Sequence, residues 1–562
     1  MPMPRLLPTL VAGLVCGLAH AATPSTTATF VGTDVPFASH AIYFVMTDRF
    51  VNGDKSNDHR DQGGAHPTFD IPVSGAPKGE SANIGYLGGD FKGVLENADY
   101  IRDMGFGAVW VTPIVDNPDQ AFTGGDPVSW GSFMSDRGKT GFHGYWGINF
   151  YKLDEHLPSK NLDFRQFTAG MHAKGLKVVQ DIVLNHGSPA FSMPKPQPPY
   201  GQIFDKNGKL IADQQNLDPW KLDPRHNPLH SFYHAYGDLA QLSNNDDDNP
   251  IVLDYLVGAY HQWASEGADA FRIDTIMHVG FPFLRQFAKR IRAKHPDIFM
   301  FGETFNTNGD DIGRYTWPQN GGFNDIDFPM RELIAKVFEH PGSDYATLLE
   351  RLYLTNGPYA NPYQLVTFYD NHDMARLNAS DNGFIDANNW LFTTRGIPAI
   401  YYGSETGFER GRAEHQGNRN YYGQQRIDDA AKSPIYRQLK RVAQLREHTP
   451  ALQRGLMLPI AFKGDQASFY RVYQEGDTHQ IALVLLNKGG QPAQFNVSDM
   501  LQSGEWKPAL GGDAISVAES GSLHAQVAAH DVQVYLLDAT ASRPDFVAAL
   551  TRAMDERDHP AH

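Results

Sequence analysis

Apolar and polar positions follow two periods along this chain. Short, mostly apolar runs rich in β-branched and aromatic residues occur at Ala41–Met46 (AIYFVM), Gly107–Thr112, Lys177–Val183, Asp269–Ile273, Ile298–Gly302, Leu365–Tyr369 and Pro398–Tyr402. They read as buried strands, with Phe323–Phe328 a weaker eighth. Between them, apolar positions recur at helical spacing over Val94–Met104, Phe164–Lys174, Val252–Ser265 and Pro282–Lys294. Strand and helix alternating over such a length predict a parallel sheet covered by helices. Eight strands suit an α/β fold of the (β/α)8 TIM-barrel kind, although periodicity alone leaves a doubly wound sheet open.

The alternation breaks twice. After Asn185-His186 the chain runs to about Pro250 through many Pro, Asn and Asp residues, which is too long for a simple connection. An inserted, loop-rich domain is expected at about 187–250. Beyond about Pro450, runs at Ala467–Tyr473, Ile481–Leu486 and Val532–Leu537 read as strands with little helix between them. These predict a C-terminal antiparallel β-sandwich domain over 454–540, following a barrel over 31–453. From Ser542 onward, Phe546, Leu550 and Met554 share one helical face, so 541–562 is expected to be a docked helix or a frayed tail.

Composition narrows the function. The 562 residues suggest two or three domains. A formal net charge of -16 disfavours nucleic acid and anionic membrane as partners but does not repel a neutral polymer. At the N-terminus, Arg5, the apolar run Leu6–Leu18 and Ala19-His20-Ala21 read as a secretory signal over 1–22, cleaved near Ala21-Ala22. The run is too short to span a membrane, so a secreted or periplasmic protein is expected. Cys16, the one cysteine, lies inside this segment. The exported chain would therefore lack disulfides and need another staple, such as a bound metal.

Polar residues cluster where the proposed strands end. Lys177–Val183 leads into Asp181-x-Val183-x-Asn185-His186, the next strand gives Phe271-Arg272-Ile273-Asp274, and the next ends in Gly302-Glu303. A later one ends in Phe368-Tyr369-Asp370-Asn371-His372-Asp373. A single carboxylate at a strand end is ordinarily a cap or a surface charge. Carboxylates at four strand ends, with Arg and His beside them, would converge in one bowl at the barrel's C-terminal face. Clustered like charges there are costly without a role or partner.

These four segments resemble, in order, the signature regions of the α-amylase family of retaining glycoside hydrolases. Three further segments extend the resemblance: Phe106-Gly107-Ala108-Val109-Trp110-Val111-Thr112-Pro113, His143-Gly144-Tyr145-Trp146, and Gly396-Ile397-Pro398 through Tyr401-Tyr402-Gly403-Ser404-Glu405. It covers about residues 40 to 540. Retention needs two carboxyl groups about 5–5.5 Å apart across the scissile bond. The resemblance implies Asp274 as nucleophile, Glu303 as acid/base and Asp373 as the group gripping sugar hydroxyls in the transition state. It also implies that Arg272 keeps Asp274 ionised, that His186, His372, His143 and His278 contact substrate, and that Tyr145 stacks on the sugar. Asp181 reads as a structural partner of Arg272.

Calcium follows from the same resemblance. Asn52-Gly53-Asp54-Lys55-Ser56-Asn57-Asp58 and Gly88-Gly89-Asp90 are similar to an N-terminal calcium site of cyclodextrin glucanotransferases and related amylases. Asn52, Asp54, Asn57, Asp58 and Asp90 are the implied ligands, with the Gly88 carbonyl; such oxygens suit a hard cation. A second family site implies Asn185 and the His278 carbonyl, plus an Asp of a Leu-Ala-Asp-Leu motif. Here that motif is Leu239-Ala240-Gln241-Leu242, so Gln241 offers a carbonyl oxygen without charge. Asp238 could substitute only if the loop register shifts. Asp246-Asp247-Asp248 reads as a solvated acidic turn.

Two departures bear on activity. Met277 stands where many members have Lys, and Gly237 where the cyclising transferases carry a large central aromatic. The chain also ends soon after its first β domain, leaving no room for the further domains those transferases usually add. The expectation is therefore a monomeric α-amylase-type hydrolase of internal α-1,4 bonds in starch, glycogen or maltooligosaccharides. Cyclomaltodextrinase or glucanotransferase action is the alternative, and a non-catalytic glucan-binding protein the remote one.

Overall fold

The computed structural model describes residues 28–62, 67–355 and 357–558. The expected secretory signal, including Cys16, lies outside the described residues.

Eight parallel strands form the central sheet: β1 (Ile42–Val45), β2 (Ala108–Val111), β3 (Lys177–Val183), β4 (Ala270–Asp274), β5 (Phe299–Gly302), β6 (Asn324–Asp325), β7 (Val366–Thr367) and β8 (Ile397–Tyr401). They pair in chain order, and β1 also pairs β8 through Ile42 and Ala399. A parallel bridge from Ile326 to Val366 joins β6 to β7 and closes the ring. This is a (β/α)8 barrel rather than a doubly wound sheet. The strands read as continuous apolar runs because both faces are covered: every residue of β1, β2, β5 and β8 is buried.

Local chemistry starts the outer helices. Phe164–Ala173 begins with a capping box, in which Asp163 accepts from the Gln166 N–H and the Gln166 side chain from the Asp163 N–H. Pro250–Ser265 begins with Asn249 as cap and a proline in the first turn. The stretch Val94–Met104 is not one helix but two, Phe91–Glu96 and Ala98–Asp103. Asn97 divides them; its Nδ2 donates to the Gly93 carbonyl at 2.8 Å and to Gln424 at 3.0 Å, competing with the helical ladder.

The excursion after β3 carries little regular structure. His186–Pro189 pairs with Leu242–Asn244, and Gln202–Phe204 forms a hairpin with Leu210–Asp213. A small cluster of Phe122, Trp146, Met193, Tyr200 and Leu242 joins it to the loop after β2.

Beyond the barrel lie β9 (Leu456–Lys463), β10 (Gln466–Glu475), β11 (Thr478–Asn487), β12 (Ala493–Val497), β13 (Gly504–Pro508), β14 (Ile515–Val517), β15 (Leu523–Val527) and β16 (Asp531–Leu537). Six of them form an antiparallel sheet in the order β9-β10-β11-β16-β13-β14, while β12 pairs β15. Fully buried Arg471 on β10 fastens this sheet to the barrel, donating to the carbonyls of Gly455, Thr393 and Thr394. The last helix, Pro544–Asp558, buries Phe546 and Leu550, and the Phe546 ring packs 5.0 Å from Tyr470. It is docked, not frayed.

Candidate active site

The barrel register brings the polar strand ends together. Arg272 on β4 lies beside Asp181 on β3, and Asp274 projects two residues further on the same face. Glu303 follows β5 directly, its N–H donating to the Ile273 carbonyl at 2.9 Å. One guanidinium then touches three carboxyl groups. Arg272 Nη1 lies 2.8 Å from Asp181 Oδ1 and 2.9 Å from Asp274 Oδ1, and Nη2 lies 2.6 Å from Glu303 Oε1. The last contact lacks hydrogen-bond alignment, so Glu303 Oε1 is a buried acceptor with no donor aimed at it.

Asp181 is fully used inside the protein. It accepts from Tyr145 Oη at 2.8 Å and Trp110 Nε1 at 3.0 Å besides Arg272. Asp274 Oδ2 accepts from Thr275 Oγ1 at 3.2 Å and lies 3.9 Å from His186 Nε2. Asp373 follows β7; its Oδ2 is 3.0 Å from His372 Nε2, and its Oδ1 accepts from Arg419 Nη2 at 2.6 Å. The Tyr145 and His372 rings are stacked, with centroids 5.2 Å apart and planes inclined by 4°.

Burial sets the protonation states. It pushes the Glu303 carboxyl well above the carboxylate range; Asp373 and Asp274 add to this, against the pull of Arg272. It raises Asp373 and lifts Asp181 to about 7. The imidazoles of His143, His186 and His372 are depressed by the same loss of solvent, the first and last strongly. Burial also opposes the Arg272 charge, but Asp181 and Glu303 outweigh it and hold the guanidinium cationic. The site thus combines a fixed cation, neutral imidazoles and a carboxyl that favours its proton. A cavity of about 670 Å³ at the opposite end of the barrel, bounded by Phe37, His40, Lys177 and Arg292, holds none of these groups.

Residues 44–436 match the family model of the α-amylase catalytic domain. The chain belongs to the α-amylase family of glycoside hydrolases. Among its relatives, a cyclomaltodextrin glucanotransferase of Thermoanaerobacterium thermosulfurigenes is 28% identical over 92% of this chain and 69% of its own length. An α-amylase of Niallia circulans is also 28% identical, over 88% of this chain and 90% of its own. A solved cyclomaltodextrin glucanotransferase with a three-domain ABC distribution superposes with a TM-score of 0.71 at 29% identity, over 89% of this chain and 99% of its own. That last match removes one argument drawn from the sequence: a transferase of nearly this extent exists, so length does not separate hydrolase from transferase.

The calcium positions implied by the family resemblance are arranged unequally. In the first, Asn52 Nδ2 donates to Asp58 Oδ1 at 2.7 Å, and Asp90 Oδ2 accepts from the Asp54 N–H at 2.7 Å and from Asn57 Nδ2 at 3.4 Å. The carbonyl oxygens of Asn52 and Asn57 are buried without partners, and a Cβ on Gly88 would strike Asn52 and Asp58. A cluster of oxygens with two orphaned acceptors fits a hard cation. The Asp54 carboxylate does not join it. It caps the Lys55–Asn57 turn, accepting from Ser56 N and Oγ at 3.0 and 2.6 Å.

In the second, the Asn185 amide lies 3.2 Å from both the His278 carbonyl oxygen and Asp238 Oδ2. Turned one way the amide donates to both; turned the other, three oxygens face one point, an arrangement that a cation would stabilise. Gln241, the expected third ligand, is elsewhere: its Nε2 donates to Asp136 Oδ2. Asp238 stands in the cradle instead, its Oδ2 beside the Asn185 amide; Ala240, between it and Gln241, has φ +46°. The His278 ring is held by Asp238 at 2.8 Å rather than by the carboxylates of the barrel. In the acidic turn, Asp247 is not merely solvated: it meets His234 Nε2 at 3.0 Å and accepts from the Gly280 N–H.

Sequence reasoning missed Arg419. It lies in the polar run Gly417-Asn418-Arg419-Asn420 beyond β8, with no periodic signal, and reaches Asp373 only through the fold.

Proposed function

We propose that this enzyme hydrolyses internal α-1,4-glucosidic bonds of starch-type glucans with retention of configuration. The observation that carries the reading is the single buried guanidinium of Arg272 in contact with both Asp274 and Glu303. Asp274, in contact with Arg272 at 2.9 Å, attacks the anomeric carbon while Glu303, held protonated by burial, gives its proton to the departing oxygen. Glu303, now ionised, takes a proton from water, which attacks the same carbon and releases Asp274. Asp373, His372 and His186 accept or donate to hydroxyls of the bound sugar, and Tyr145 stacks on it.

Calcium fits the reading as a staple rather than a reactant. Asn52, Asn57, Asp58, Asp90 and the Gly88 carbonyl would hold one ion. Asn185, Asp238 and the His278 carbonyl offer a second place, with Asp238 supplying the charge that Gln241 does not. An exported enzyme without disulfides would gain from both. The proposed units are a barrel over 31–453 with its insertion, a β domain over 454–540 and a docked tail, acting as a monomer on an α-glucan.

Transglycosylation is the second reading, favoured by the names of several relatives. Against it stands Gly237, where an added Cβ would meet nothing within 4 Å. An open position offers a glucan chain no ring to curl around. Soluble starch, maltoheptaose and a cyclodextrin should each give linear short products; dominant cyclic or elongated products would overturn hydrolysis as the main activity.

A further inference from the structure

A chain of alternating charges leads away from Asp373, and the reaction above uses only its first link. Arg419 donates through Nη2 to Asp373 and through Nε to the His372 carbonyl at 3.0 Å. Its Nη1 lies 2.7 Å from Glu414 Oε1. The same oxygen is 3.0 Å from Lys139 Nζ, which also lies 2.9 Å from Asp136 Oδ1. Asp136 in turn accepts from Gln241. The loop after β2, the loop after β8 and the end of β7 are thereby tied through Lys139, Glu414 and Arg419, whose side chains are 6%, 18% and 9% exposed.

Arg419 presents one arm of its fork to Glu414 and the other to Asp373. A near-buried Glu414 with no second cation would compete with Asp373 for that guanidinium. Lys139 supplies the second cation. We propose that Lys139 is a positioning residue for the reaction: by balancing Glu414 it leaves Arg419 free to fix Asp373 against the sugar. This rests on the proposed role of Asp373. It also gives Gln241 a use, because the residue that departs from the family's metal motif steadies the outer end of the chain through Asp136.

Other charged and titratable groups face the chain. Arg272 and Glu303 face Asp373 from β4 and β5, His372 adjoins it, and His415 lies 3.2 Å from Glu414 Oε1. His143 packs against this cluster, and its imidazole is depressed by burial and then by Lys139. None of these supplies Glu414 with a permanent cation, since Arg272 is committed to Asp181 and Asp274.

The test uses opposite signs. Lys139→Met removes a cation, so the essential carboxylates protonate more readily and the acidic limb of kcat/KM on maltoheptaose should move to higher pH, with kcat reduced more than KM is raised. Glu414→Gln removes the competing anion and should move that limb to lower pH. The double variant should lie near wild type. A merely structural role would lower activity in both single variants without moving the limbs apart, and that result would overturn the proposal. If Lys139→Met does not fold, the sign of the Glu414→Gln shift alone decides. Asp373→Asn is assayed in parallel: wild-type turnover there would remove the role of Asp373 itself, whatever the other variants do.

Discussion

At the scale of single residues, Arg272 holds three acids in different states. Asp181 is fully paired inside the protein, Asp274 meets the cation through one oxygen and the Thr275 hydroxyl through the other, and Glu303 touches the cation without a directed hydrogen bond. The direction of the Glu303 shift gives a sign. A general acid must carry its proton, and burial raises the pH at which Glu303 loses it, so the loss of kcat/KM that Glu303 governs should be the basic limb, as pH climbs through that raised value. Glu303→Gln should abolish this basic limb and spare the first step on a substrate whose leaving group needs no proton, such as a glycosyl fluoride. Asp274→Asn should lower kcat on maltoheptaose by ~10³-fold or more, with circular dichroism unchanged. Starch cleavage near the wild-type rate would exclude Asp274 as nucleophile. Arg272, Asp274 and Glu303 could be picked from the sequence because each sits at or beside a strand end and, with Asp373 six residues past β7, falls in a segment that resembles the family's signature regions. Arg419 and Lys139 could not, because their partners lie 46 and 275 residues away in the chain.

Turns and caps decide events at the scale of elements. Asp90 both closes the 52–58 turn and caps the helix Phe91–Glu96, accepting from Gly93 N at 2.7 Å. The orphaned oxygens of Asn52 and Asn57 belong to the same turn. Calcium should therefore stabilise the native state alone, by about 2.7 kcal/mol at a free concentration 100 times its Kd. Asn52→Ala should lower the melting temperature in calcium, yet match wild type in excess chelator to within the loss of its own hydrogen bond. Equal melting of wild type with and without chelator would remove calcium from this account. The loop-rich insertion shows why the second cradle was misread. The sequence motif pointed to Gln241, but Asp238 lies beside Asn185 while Gln241 bonds to Asp136, across a residue, Ala240, of positive φ.

For the whole molecule, the C-terminal sheet is fastened to the barrel and the last helix is packed on that sheet. Arg471 crosses the junction, and Phe546 is fully buried against Tyr470. Phe546→Ala should cost about 3–5 kcal/mol and be read as a lower midpoint in denaturant unfolding. The proposed product specificity is tested at this scale as well. Gly237→Tyr, placing a ring where space is free, should raise the proportion of cyclic or transfer products from starch; an unchanged profile would mean that other loops set specificity.

The sequence by itself determined the alternation of buried strands with helices and placed acids at four strand ends, while closure of the strands into a barrel rests on the pairing of β1 with β8 and of Ile326 with Val366. Parallel strands buried on both faces must be apolar runs, and polar residues closing such runs are conspicuous. Helical period marked four of the outer stretches, the first of them broken at Asn97, where a side chain competes with the backbone, while helices such as Phe328–Phe338 and Pro434–Glu447 went unread. Only the tertiary structure decided which oxygens gather at the metal cradles, and which charges pair across loops far apart in the chain. Those choices turn on single dihedral angles and on contacts between distant segments, for which neither period nor spacing leaves a trace.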